Sequence, residues 1–572
     1  MSEPRARVDA GGASIGASLA GAPTAESAPS FAAIFRRILE HRWRSSPVTA
    51  TIDGVAGHDH ELDSFAPRTL EAQLAETAGL ARLLAELPDD ALTADERLDR
   101  AQVLGTLEAD LHDWHHVRTW TWNPAIYPET AIYACYLLAV RESRPLEERM
   151  RALAARLSEI PRLLAEGLAN LDGPARVLSE NAIETCAGAR ELFGTTLPAV
   201  AAATAPAIRD RVAAGSADAT AALDAYAARL REQLDAGGAV RNAAIGEAAF
   251  TLRFEKAHGL AITTDALLEL AARVRRETEE RLRQVAARID PHRSWRELWR
   301  EIGSDHPPAE AVLDAYRGEV ARVRRFVAER GLVAIADEDL AVVATPEFER
   351  PLIPIAAYLP PAPLEPAGRG LFYVTPLPDG LEGEAREAWL AHHAWPNITQ
   401  LVVHEAFPGH HLQLARAKRC GSRARALYGT PLLCEGWALY CEQLMVEEGL
   451  SEDPRVELTQ LRDALFRTWR VDVDVRLHRG EWTVEESAER LVDAVGLDPA
   501  TARAEVRRYA AWPTQASTYL VGRELLLDLR ARVRERAGAG FELARFHDHL
   551  LSFGSLSPAL TRRALLGEVP FP

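Results

Sequence analysis

The sequence predicts a mainly α protein, a large helical body that carries one small β-sheet. Three observations predict it. Apolar residues recur at three- and four-residue steps along most of the chain, the period of one helix face. Short β-branched or aromatic runs bounded by Pro and Gly are confined to one stretch, residues 340–377. Helix start and stop signals recur on both sides of that stretch.

In chain order, residues 1–29 are rich in Ala, Gly, Ser and Pro, carry Glu3 and Asp9, and lack a Leu-rich core. A secretory signal needs a basic start and an apolar stretch of about 7–15 residues, so this segment reads as a disordered tail. From Phe31 to about Arg330 the pattern is helical. "LEAQLAETAGLARLLAEL" (70–87) and "ALLELAARVRRETEERLRQVAARI" (266–289) have the helical period, the latter with Thr263 and Thr264 as candidate caps. "PPAEAVLDAYRGEVARVRRFVAERG" opens on prolines after Asp305 and stops at Gly331. No fixed-period repeat occurs, which argues against a regular solenoid. Near residue 338 the character changes. "LAVVATP", "LIPIAAYLP" and "GLFYVTPL" read as three short strands, with "LPPAPLEPAGRG" (359–370) as a loop. The helical pattern returns after residue 385 and runs to about Leu566. The expected organisation is a tail (1–29), a helical N-terminal lobe (30–337) and a lobe holding the sheet and the site (338–572).

Composition narrows the function classes. Of 572 residues, 47% are hydrophobic and 26% charged, ordinary for a globular protein. The net charge is −17 and only two lysines occur, Lys256 and Lys418, so binding to a phosphate backbone is not expected. No apolar run of 18 or more residues is present, so no membrane-spanning helix is expected. Five cysteines, an odd number with no Cys-x-x-Cys pair, fit a reducing compartment, and a cytoplasmic location is expected. Cys434 and Cys441 lie seven apart on one helical face and read as core packing.

The chemistry concentrates in "HEAFPGHHLQ" (404–413). A catalytic zinc takes three protein ligands and leaves a position for water, whose pKa it lowers to about 7. A neighbouring glutamate takes the proton and passes it to the leaving amine. His404 and Glu405 supply a ligand and that base. The next histidines are His410 and His411, whereas the usual helical zinc pattern spaces its histidines by four. On a regular helix six residues rise about 9 Å, too far for one metal. Pro408 and Gly409 suggest a bulge at Phe407–Gly409 that takes up two residues and returns His410 to the second ligand position. Downstream, "TPLLCEGWALYCEQLM" opens with Thr430 as cap and Pro431 as first helical residue. Glu435, one turn in, is the expected third ligand, and Glu442, two turns further, the expected hydrogen-bond partner of a ligand histidine. His392 and His393 read as surface residues. "LHDWHH" (111–116) concentrates histidines without a carboxylate pattern and is not expected to bind metal.

On these residues the chain resembles the domain of unknown function 885 family of zinc-peptidase-like proteins. His404, Glu405, Pro408, Gly409, His410 and Gln413 match its His-Glu-x-x-Pro-Gly-His-x-x-Gln pattern. Glu435 to Tyr440 match Glu-Gly-Trp-Ala-x-Tyr, and Arg470, Asp474 and His478 match a later Arg-x-x-x-Asp-x-x-x-His. "RYAAWPTQASTYLVG" supplies Arg508, Tyr509, Pro513, Gln515, Tyr519 and Gly522, with Thr514 where the family has glycine. The resemblance is specific from about residue 340 onward. It favours His410 over His411 as ligand and implies a two-lobed, metallopeptidase-like helical fold with a deep cleft.

The expected function is zinc-dependent hydrolysis of amide bonds, most simply of short peptides, with one zinc ion held by His404, His410 and Glu435 and with Glu405 as base. Tyr519 is the first candidate for the oxyanion donor, and His478 or Arg508 the next. The strand near Phe372–Thr375 is a candidate for binding a substrate backbone by strand addition. The alternatives are hydrolysis of a non-peptide amide at the same site, and a zinc-containing helical scaffold without turnover. No nucleic-acid or membrane partner is expected, and the sequence carries no signal for oligomeric state.

Overall fold

The computed structural model describes residues 30–567, except 143, 238–240, 337, 348–349, 351–352, 354 and 366–367. The tail expected over residues 1–29 lies outside the described residues. The architecture is mainly helical with one three-stranded sheet, as the periodicity predicts. The helix expected over 70–87 runs Pro67–Ala85, with proline at its first turn, where the missing N–H costs nothing. The one expected over 266–289 runs Thr264–Ile289, capped by the Thr263 hydroxyl accepting from the Ala266 N–H. The proline-led helix begins only at Val312, after a 3-10 turn at Ala309–Ala311. It ends where Gly331 turns left-handed at φ 58°, a conformation that favours glycine.

The sheet consists of β1 (Leu340–Ala344), β2 (Ala356–Leu359) and β3 (Gly370–Val374), in the order β1-β3-β2. β3 pairs parallel with β1 (Val342 opposite Phe372) and antiparallel with β2 (Tyr358 opposite Phe372). This corrects the expectation of a free edge at Phe372–Thr375. β3 is the central strand, and its backbone groups are used on both sides. The reason is visible in its burial: Phe372, Tyr373 and Val374 are all buried, as in a strand covered on both faces. The edges are β1 and β2.

Apolar packing crosses residue 338. Val312, Tyr316 and Val323 share a cluster with Phe372, Ile398 and Trp437. Trp122, Leu178 and Leu282 pack with Leu458, Leu477 and Tyr509. Phe250 and Leu267 pack with Val471 and Leu520. Residue 338 therefore marks a change in local structure, while the cores on either side are built jointly. Among the described residues no helix is long and apolar enough to cross a membrane.

Six helices position the site: Trp395–Glu405, His410–Lys418, Pro431–Glu447, Pro454–His478, Pro499–Ala511 and Gln515–Ala537. Two of them touch backbone to backbone. A Cβ on Gly436 would lie 2.5 Å from the Gly522 Cα, and a Cβ on Gly522 would lie 2.0 Å from the Leu432 carbonyl oxygen. Only glycine at both positions lets the Pro431–Glu447 and Gln515–Ala537 helices approach this closely.

Candidate metal centre

The histidine motif is a break between two helices. The first helix ends at Glu405, Ala406 leaves helical geometry at φ −111°, ψ −87°, and a new helix starts at His410. The Phe407–Pro408 peptide is cis. The expected bulge within one helix is thus corrected to a full exit over residues 406–409. Pro408 has no N–H to return to the His404 carbonyl, and a proline disfavours helical geometry in the residue before it. Gly409 acts by close approach, with φ at −71°. A Cβ there would sit 1.9 Å from the His404 carbonyl oxygen and 2.4 Å from that of Val403. Trp437 pins the connection from the next helix, its indole N–H donating to the Pro408 carbonyl at 2.7 Å.

The break brings both histidines to one carboxylate. His404 Nε2 and His410 Nε2 lie 3.7 and 3.3 Å from Glu435 Oε2. One donor atom from each of the three residues falls within 4.8 Å of the others. Ligands about 2.0–2.1 Å from a tetrahedral zinc stand about 3.4 Å apart, so the residues fit the ion. Glu435 Oε2 is buried with no hydrogen-bond partner, an orphan of the kind a cation satisfies. Burial pushes the Glu435 carboxyl up, but His410 and His404 outweigh it and hold it well below the usual range, in the charged form a metal takes. Glu442 Oε1 stands 2.7 Å from His404 Nδ1, which leaves Nε2 facing the centre. On His410 the equivalent position is held by Cys434, Sγ to Nδ1 3.5 Å, a contact that the core-packing reading of this cysteine missed.

His411 turns the other way. Its Nδ1 meets the Tyr358 hydroxyl on β2 at 3.0 Å, and burial lowers its pKa to about 4. Glu405 follows His404 and makes no hydrogen bond or ion pair among the described residues. His393, expected on the surface, is fully buried. Its Nδ1 is 3.1 Å from the Tyr316 hydroxyl and its ring packs on Trp389, whereas His392 is exposed as expected. In "LHDWHH" Asp113 pairs with Arg253, and no metal-donor cluster forms there among the described residues.

The Gln515–Ala537 helix brings Tyr519 alongside. Its ring lies 6.3 Å from that of His404 at 13°, and Gln515 Nε2 donates to its hydroxyl oxygen at 3.3 Å. The Arg470 guanidinium sits 3.9 Å from the centre of the same ring. Arg508 reaches Tyr519 through Gln515, donating to Gln515 Oε1 at 2.9 Å and to Glu505 at 2.8 Å. Burial raises Glu505, but Arg508 and then Arg470 bring it down to about 2. His478 is corrected from oxyanion candidate to support. It is fully buried, donates from Nε2 to the Tyr509 carbonyl at 3.0 Å, and packs on Phe250. Eight residues along the helix carry it about 12 Å from Arg470, away from Tyr519.

Support for the start of the Tyr519 helix comes from Asp474, a residue of the Arg-x-x-x-Asp-x-x-x-His pattern, and from His258, which no motif marks. Asp474 accepts from the Thr514 and Ser517 N–H groups at 3.2 and 3.1 Å. Thr514, which stands where the resemblance has glycine, is left-handed at φ 73°, which a β-branched residue rarely adopts. His258 bridges the two helix starts, Nδ1 to the Thr430 hydroxyl at 2.9 Å and Nε2 to the Thr514 hydroxyl at 3.1 Å. Nothing in the sequence near His258 points to this role. Gly436 and Gly522 did leave a signal, since each interrupts a helical run at a propensity cost.

A helical body with a His–His–Glu centre, beside a glutamate that makes no hydrogen bond or ion pair among the described residues, defines a class: a helical protein with a three-donor site that could hold a metal ion. Within it, the chain belongs to the family described as bacterial protein of unknown function (DUF885), which matches residues 47–565. Two solved structures share the fold. One is a candidate lipoprotein of unknown function from Shewanella oneidensis, with TM-score 0.79 and 23% identity, covering 94% of this chain and 100% of that one. The other is a candidate lipoprotein from Colwellia psychrerythraea, with TM-score 0.80 and 20% identity, covering 93% of this chain and 97% of that one. No curated protein matches the chain.

Proposed function

We propose that the protein is a zinc-dependent hydrolase of amide bonds that acts on short peptides. The observation that carries this reading is the convergence of one donor atom each from His404, His410 and Glu435 within 4.8 Å, next in the chain to Glu405, which has no hydrogen-bond or ion-pair partner among the described residues. A scaffold holding a structural metal has no need of such a base. His404, His410 and Glu435 would hold one zinc ion, which when bound supplies a Lewis acid for water and for the amide carbonyl. Glu405 takes the proton from the attacking water and returns it to the leaving nitrogen. Tyr519 donates its hydroxyl hydrogen to the oxygen on which negative charge grows. Gln515 donates to the Tyr519 oxygen, which leaves that hydrogen free and fixes its direction. A cytoplasmic location belongs to the same proposal, supported by five unpaired thiols, and cell fractionation tests it.

The test is a mixed short-peptide library digested by the zinc-loaded chain, by chelated and zinc-restored samples, and by Glu405→Gln. Cleavage should require zinc and vanish in Glu405→Gln while zinc content and fold are kept. If loaded wild type cleaves no peptide or simple amide, or if Glu405→Gln cleaves equally well, the reading fails.

A further inference from the structure

Behind Tyr519 the structure gathers three guanidiniums, those of Arg467, Arg470 and Arg508. The carboxylates nearby do not balance them. Glu442 is bound to His404, 4.0 Å from Arg467. Asp463 pairs with Arg462 at 2.8 Å and stands 3.8 Å from Arg467. Asp474, four residues from Arg470 and fully buried, is taken up by the Thr514 and Ser517 N–H groups and the Ser517 hydroxyl. Glu505 is the carboxylate left to the group, and it also accepts the Tyr509 hydroxyl at 2.5 Å. Arg470 Nε and Nη2 and Arg467 Nε are buried with no acceptor. Buried unpaired donors and cations are costly, and a native site that keeps them asks for an explanation. This excess of positive charge lies beside the candidate centre of a chain whose net charge is −17.

We propose that this cluster is an anion subsite in which Arg508, backed by the charges of Arg467 and Arg470, takes the free carboxylate of the substrate. Arg508 is the contact residue because its side chain keeps 27% exposure, while Arg470 is buried against Tyr519. A planar guanidinium matches a carboxylate in a two-pronged hydrogen-bonded pair. The path from the centre to Arg508 runs over the Tyr519 ring and the Gln515 amide, two side chains long. The contacts along it measure 6.3, 3.3 and 2.9 Å, so at about 3.8 Å per residue the carboxylate lies up to about three residues beyond the amide being cleaved. The substrate class is therefore short peptides, or acylated amino acids, with a free C-terminus. This inference rests on the hydrolase reading above and narrows it.

The test uses peptide pairs identical except for a C-terminal carboxylate or carboxamide. On the zinc-loaded full chain, kcat/KM should favour the free acids by about 10²-fold or more, the scale of a lost partner in a buried charge pair. Arg508→Gln should bring the acid-to-amide ratio close to one, and Arg508→Lys, which keeps the charge, should retain part of it. A ratio near one in wild type, or a ratio untouched in Arg508→Gln, overturns the subsite while leaving the hydrolase reading intact. Calorimetric titration of the same pairs into Glu405→Gln gives a readout without turnover. If no peptide is cleaved, the hydrolase reading falls, and this titration still decides the subsite. An acid preference that disappears on adding Arg508→Gln supports it, and equal binding of acid and amide overturns it. Arg508→Lys replaces Arg508→Gln in both measurements if the latter does not fold.

Discussion

Substituting Gly522 by Ala should damage the site without touching any of its side chains. On an exposed helix the change would stabilise by about 1 kcal/mol, because alanine loses less backbone entropy. Here the added Cβ would stand 2.0 Å from the Leu432 carbonyl oxygen and 2.7 Å from the Gly436 Cα. An ordinary carbon–oxygen contact is about 3.3 Å or longer, so the two helices must separate by roughly 1 Å. Overpacking of this kind costs about 1–3 kcal/mol, which cancels or outweighs the propensity gain. Glu435 lies on one helix and Tyr519 on the other, so the separation opens the centre itself. A misplacement of about 1 Å can cost 10²-fold in rate. The assay pairs urea denaturation with zinc content and peptide hydrolysis. Gly79→Ala is the control, since a Cβ at that helical position meets nothing within 4 Å. The control should gain stability. Gly522→Ala should gain none, bind zinc more weakly and turn over about 10²-fold more slowly. If it gains as much as the control and keeps zinc and rate, the helix crossing does not set the site.

Other expectations follow from the same geometry. Alanine at His404, His410 or Glu435 should empty the metal site in zinc analysis, whereas His411→Ala should keep the metal, because His411 faces Tyr358. Glu442→Ala should weaken zinc binding by about 10–100-fold in competition with a chelating dye, the usual cost of losing a partner behind a ligand histidine. Tyr519→Phe should lower kcat by about 10²–10³ with little change in KM; an unchanged kcat would return Tyr519 to packing. Burial lowers His258 to about 3, so between about pH 6.5 and 3 the unfolded chain binds a proton that the folded chain refuses. Stability should therefore fall as pH drops through that window, by about 1.4 kcal/mol per unit of depression at most. His258→Gln should flatten this part of the denaturation profile, and an unchanged pH dependence would remove His258 from it.

Local signals were legible wherever chemistry and spacing lie close in the chain. The three strands, the Thr430–Pro431 helix start, a place for Glu442 behind one of the two candidate histidines and a break in helical geometry near Pro408 all follow from residues within a turn or two of each other, or from one helix face. The missed features depend on backbone approach and distant pairing. At Gly409 the sequence marks a place for a bulge but not the close approach, which comes from the carbonyls of Val403 and His404 folding back over it. The central place of β3 depends on two pairings, one of them with a strand 30 residues earlier. His393 reads as a surface polar residue until Tyr316, 77 positions away, supplies its partner.

By itself, the sequence determined the helical class, the small sheet, the donor types and their order along the chain, because helix period, turn chemistry and ligand chemistry are local properties. Only the tertiary structure decided that His411 turns to Tyr358, that Arg470 and Arg508 flank Tyr519 while His478 turns away, and that His258 ties two helix starts together. These depend on how closely helices can pack. At Gly436 and Gly522 that distance is set by the absence of two Cβ atoms 86 residues apart, which no periodicity within either helix records.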